Sequence, residues 1–110
     1  MSEFEARTAV FYCRAFLTPA SRGWATHELA SRREAAIPLL RAIFAGDARN
    51  EHGVPYRNLG MPLGCALVTA GLLGSVAQSL EDFVRSELEG VWAVYAKDAL
   101  ARLGQDGSET

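Results

Sequence analysis

The twelve positions from Asp47 to Asn58 hold two acids, two arginines, two asparagines, a histidine and a tyrosine. Two chemistries are open to such a set. As an enzyme site, His52 would serve as base and Glu51 or Asp47 would orient it, although neighbouring residues of one loop rarely hold catalytic geometry. As a binding site, Arg49, Tyr56 and Arg57 are of the types that dominate interface energetics, with Asp47, Glu51 and His52 as polar neighbours. A solvated loop whose charges pair among themselves is the plain alternative. The segment exceeds the two to eight residues that usually join helices, and connections of this length are functional or disordered.

Elsewhere the chemistry-bearing residues are sparse. His27 and His52 are the only histidines, and neither has a second ligand at metal spacing. The chain has no nucleophile elbow and no lysine-bearing glycine loop for phosphates. Gly60-Met61-Pro62-Leu63-Gly64 and Gly71-Leu72-Leu73-Gly74 are apolar and read as close helix packing. Glu81 and Asp82, with Glu87 and Glu89, could form an acid–base pair. On a helix, however, Glu81 and Asp82 lie one turn from Arg85, and surface ion pairing explains them better. Lys97 reads as a solvated residue of the last helix. Trp24 and Trp92 read as core or half-core, with Trp92 the more exposed of the two. The expectation is a protein with no metal, no cofactor and no catalytic residues.

Composition narrows the class further. The chain has 110 residues, 49% hydrophobic, with a formal net charge of -2. That is one domain, too apolar for disorder and without the basic excess of a nucleic-acid binder. Residues 1–57 carry eight arginines against six acids, and residues 58–110 three cations against seven acids. Cys13 and Cys65 lie in apolar stretches and read as small buried hydrophobes. The first residues are acidic and lack the cationic region of a signal peptide. Asn58 to Leu80 contains no charge, yet its continuously apolar part, Met61 to Leu73, is shorter than the ~20 residues that span a bilayer. These features predict a soluble cytoplasmic protein of a reducing compartment, with no membrane partner.

Apolar residues recur at helical spacing throughout, without the alternation of half-buried strands. The pattern predicts a first helix over Ser2 to Leu17, carried by Phe4, Thr8, Phe11 and Ala15 with Val10, Cys13 and Leu17, and stopped by Thr18 to Gly23. A second helical stretch runs from Thr26, its cap, to Ala45, with a kink or a break near Ala36 imposed by Pro38. A buried helix follows from Leu59 to Leu73, another from Ser75 or Gln78 to Glu89, and a last from Val91 to Leu103. Gln105 to Thr110 is a polar tail, leaving 1–104 as the single domain.

An internal repeat organises these helices. Ala36, Leu39, Leu40, Phe44 and Gly46 correspond to Leu80, Phe83, Val84, Leu88 and Gly90. Ala66 through Gly74 corresponds to Ala96 through Gly104. Val91 to Gly104, with its alanines on one face and its closing Ala99-Leu100-Ala101-Arg102-Leu103-Gly104, resembles the second helix of a short HEAT-like repeat of the phycobilin-lyase type. Ile37-Pro38-Leu39-Leu40 resembles the start of the first helix of such a repeat. The resemblance covers Ala35 to Gly104, and implies an all-α fold, a HEAT-like stack of α-α hairpins. This short solenoid of about five helices would be capped by the N-terminal one. The expected buried residues are Ala66, Ala70, Leu73, Ala96, Leu100 and Leu103.

Such stacks bind proteins and are rarely catalytic. The expected function is therefore a small non-catalytic protein-binding module. Its most concrete form is an immunity protein inhibiting a cognate bacterial toxin, by analogy of size and architecture. A small enzyme or enzyme subunit using the His52 loop, and an adaptor or homo-oligomeric scaffold, are the alternatives.

Overall fold

A computed structural model describes residues 2–104. The polar tail 105–110 lies outside the described residues. Helix α1 (Glu3–Leu17) opens on a capping box: Ser2 Oγ accepts from the Glu5 amide at 3.0 Å, and Glu5 Oε1 accepts from the Ser2 amide at 3.1 Å. Its buried residues are Ala9, Tyr12, Cys13 and Phe16. The core-facing stripe is thus opposite the one marked by Phe4 and Phe11, which points to solvent.

Only Thr18 separates α1 from α2 (Pro19–Ser31). The first helix stops at Leu17 as expected, but the interruption expected over Thr18 to Gly23 shrinks to one residue, because Pro19 occupies the first position of the next helix, where a missing amide proton leaves no bond unmade. Thr26 is not a cap. It is buried inside α2, and its hydroxyl donates to the Arg22 carbonyl at 2.9 Å. The two helices are tied by a polar triad. Buried Tyr12 donates its hydroxyl to Glu28, and Arg32 Nε donates to the Tyr12 oxygen at 2.7 Å.

The stretch expected over Thr26 to Ala45 is broken just before Ala36, one of the two outcomes expected there, into two helices. The chain breaks at a 3-10 turn, Arg33–Ala35, where Arg33 takes a left-handed φ of 55°. It resumes as α3 (Ala36–Ala45). Pro38 therefore falls in the first turn of α3, where amides have no intrahelical acceptor, and it kinks nothing. Gly46, at φ 85°, closes α3 in the left-handed conformation that glycine adopts without strain.

Helix α4 (Met61–Leu73) is buried around most of its circumference and packs on α1, α2, α3 and α6. The helical run Met61–Arg85 that it opens is long and apolar enough to cross a membrane by length and composition alone. Of its most apolar window, 61% is buried inside the protein, as in a core helix. A 3-10 run (Gly74–Leu80), α5 (Glu81–Arg85) and α6 (Ala93–Leu103) complete the chain. The helix expected from Ser75 or Gln78 to Glu89 is thus split into a 3-10 run up to Leu80, the short α5 and turns after Arg85, and the last helix begins two residues later than expected.

Among the described residues the fold is all-helical, with one isolated β-bridge, Arg49 to Pro55. Its radius of gyration, 12.9 Å, matches the about 13 Å of a compact chain of this size. Ala66, Ala70, Leu73, Ala96 and Leu103 are buried as expected, whereas Leu100 is only half-buried. Helices α4 and α6, which the sequence reading expects to correspond, pack on each other. The small residues make this possible: a Cβ on Gly64 would lie 2.7 Å from Trp92 Cζ3. The two helices expected to correspond as first helices of a repeat are unequal, since α3 has ten residues and α5 only five.

Candidate binding surface

The segment joining α3 to α4 is ordered by its own backbone. Tyr56 N–H donates to the Ala48 carbonyl at 2.9 Å, and Asn50 N–H to the Val54 carbonyl at 3.0 Å, so two short antiparallel arms form. Asn50 Oδ1 accepts from the amides of His52 (2.9 Å) and Val54 (3.0 Å), closing the turn, and Gly53 supplies its φ of 79°. Ala48 and Tyr56 are buried and pin both arms to the core. A 3-10 turn, Tyr56–Leu59, then leads into α4.

This arrangement separates the six site residues predicted from sequence. Asp47, Arg49, Glu51 and His52 are exposed. Tyr56 is only 3% exposed, and its hydroxyl accepts from Arg14 Nε at 3.4 Å. Arg57 turns inward: it donates to the Phe44 carbonyl at the end of α3, and its Nη2 lies 2.6 Å from Glu87 Oε2. Tyr56 and Arg57 thus brace the loop, and their polar groups serve the fold. His52 and Glu51 approach to 3.5 Å at the exposed tip. No group of three His, Cys, Asp or Glu side chains arranged to hold a metal ion occurs among the described residues.

Two of the four exposed positions, Asp47 and Arg49, share a surface with α1. A groove of about 460 Å³ runs between them, lined by Arg7, Val10, Phe11 and Arg14 on one side and by Asp47 and Arg49 on the other. Arg14 is also 3.9 Å from Glu51, and its bond to Tyr56, aided by Glu51, raises its pKa above the ordinary arginine value. Beyond the groove the outer face of α1 continues into aromatics. Phe4 is 72% and Phe11 54% exposed, and Trp24 of α2, 57% exposed, meets Phe11 edge-to-face at 6.5 Å. Trp24 rather than Trp92 is therefore the exposed indole, because Trp92 lies over Gly64.

The sequence reading missed Arg7, Phe11 and Arg14 as surface partners of the loop. Their signal was present: Phe4, Arg7, Phe11 and Arg14 recur at helical spacing, on the side of α1 away from Ala9, Tyr12, Cys13 and Phe16. Glu87, read as one of several surface acids, is buried. Glu81 behaves as expected and pairs with Arg85 at 2.5 Å. Comparison with protein-family models, with curated proteins and with solved structures finds no match to this chain.

Proposed function

We propose that this chain is a non-catalytic protein-binding module of the cytoplasm, most concretely an immunity protein that inhibits a cognate toxin by direct binding. The observation that carries the reading is the outer face of α1 and α2. Phe4, Phe11 and Trp24 stand more than half exposed beside Arg7 and Arg14. Aromatic residues and arginine are the types enriched at protein interfaces and at their energetic centres. Large apolar side chains left in water on one face gain their burial from a partner. The packing of α4 on α6 supports a short HEAT-like stack as the scaffold, with α1 as its cap.

Affinity capture from the source cell tests this, with the native chain and the variant Phe11→Ser/Trp24→Ser as parallel baits. The expected result is a protein enriched on the native bait and lost from the variant, with both baits melting alike. Equal retention by both baits refutes this surface. Co-expression of the captured protein with and without the chain then decides between toxin neutralisation and a plain adaptor.

A further inference from the structure

Resting on the binding reading above, we propose that the groove between α1 and the 47–58 segment takes an acidic segment of the partner protein. A carboxylate is held by Arg7, Arg14 and Arg49, and an apolar neighbour sits against Val10 and Phe11. Three guanidiniums and one carboxylate, that of Asp47, line this groove. Arginine's planar fork matches a carboxylate in a bidentate pair, which sets geometry as well as charge.

Two of the three arginines are held in place before any partner arrives. Arg14 is fixed by the buried Tyr56 hydroxyl at 3.4 Å. Arg49 is fixed by the Gly53 carbonyl at 2.9 Å, inside the turn that Asn50 closes. Arg49 has no ion-pair partner among the described residues, so its other donors face the groove unsatisfied by protein charge. Donors fixed in advance bind with less ordering entropy than free side chains. The surroundings also select the form of the anion. Glu3 pairs with Arg7, and Glu51 approaches Arg14, so carboxylates flank the arginines. An extended polyanion, such as a lipid surface or a nucleic-acid backbone, would meet Glu3, Glu51 and Asp47 together, whereas one side chain entering the groove meets fewer of them.

The test is a nitrogen-15 NMR titration of the whole chain at low salt. The probe is a capped hexapeptide in which glutamates flank a central Leu-Phe pair. The expected result is saturable shifts of the Nε–H signals of Arg7, Arg14 and Arg49 and of the Val10 and Phe11 amides. The dissociation constant should be about 1 mM or tighter. Arg7→Glu and Arg49→Glu should each weaken binding by about tenfold or more, and Asp47→Asn should strengthen it. Arg7 is exposed and leaves the loop intact, so its variant stands even if Arg49→Glu disturbs the turn. The proposal is overturned if the glutamate peptide gives no shifts in the groove at about 1 mM. It is also overturned if a lysine analogue or anionic vesicles shift the same signals as strongly. The lysine result would overturn the acidic partner alone and leave the Phe11 and Trp24 surface to its own test.

Discussion

Replacing Arg57 with methionine keeps an apolar, unbranched stem and removes the guanidinium with its donors. In the native fold those donors satisfy the Phe44 carbonyl and the Glu87 carboxylate, whose side chain is 11% exposed. Removing one partner of a buried ion pair typically destabilises by about 3–5 kcal/mol, because the remaining charge stays buried and unpaired. Arg57 itself is 27% exposed, and water reaching its place moves the expected loss to the lower end of that range. The freed Phe44 carbonyl adds a penalty of about 1 kcal/mol or more where water does not replace the donor. The sum is about 3–4 kcal/mol, against a total of about 5–15 kcal/mol for a typical domain. Urea unfolding followed by far-ultraviolet circular dichroism measures it, and the thermal midpoint should fall by more than about 10 °C. The double variant Arg57→Met/Glu87→Leu removes the stranded charge and should recover most of the loss. A loss below about 1 kcal/mol in the single variant, or a double variant no better than the single, would refute the brace.

Gly64 and Gly71 of α4 should respond oppositely to alanine. At Gly64 the new methyl collides with the Trp92 ring at 2.7 Å, so Gly64→Ala should cost about 1–3 kcal/mol and shift tryptophan emission. At Gly71 the nearest atom is Arg102 Cδ at 3.1 Å, on a flexible side chain, so Gly71→Ala should be neutral or stabilising by up to about 1 kcal/mol in a chemical melt. Burial pushes the Cys13 thiol from 9.0 to about 12, with the neighbouring Cys65 adding to the rise. The folded state thus keeps a proton that the unfolded chain releases, and stability should be full below pH 9 and decline as pH rises from 9 towards 12. Alkaline urea melts of the native chain and Cys13→Ala should differ in that slope, and a thiol reagent at neutral pH should leave Cys13 unmodified until the chain unfolds. Ala66→Asp, at a position with no exposure, should abolish the cooperative melt.

The all-helical class was legible because apolar spacing is a local property, and α1, α4 and α6 begin within two residues of their expected starts. Prolines were legible as punctuation and not as position. Pro19 and Pro38 both lie in first turns, where a missing amide is harmless, and no local pattern distinguishes that from a break. The polar segment after α3 was legible as a connection between helices, but composition cannot say which polar groups face inward. Arg57 finds Glu87 thirty residues away, and Tyr56 finds Arg14 forty-two residues back. Those pairings exist only after the helices assemble. The face of α1 was misassigned for a related reason. Both of its stripes carry large apolar residues, Phe4 and Phe11 on one and Tyr12 and Phe16 on the other, and packing on α2, α3 and α4 decides which one is covered.

The placement of α4 bears on how the chain matures on the ribosome. Its neighbours come from both directions of the sequence, with α1, α2 and α3 made before it and α6 made after it. Domains emerge from the N-terminus onward, at about 5–20 residues per second. Until α6 has left the exit tunnel, the side of α4 that carries Gly64 and Gly71 has no cover, in the most apolar part of the sequence. Nascent chains stalled before α6 should therefore recruit chaperones or aggregate, while chains released after it should not. Premature stop codons in that stretch should be more harmful than missense changes at the exposed positions of α6.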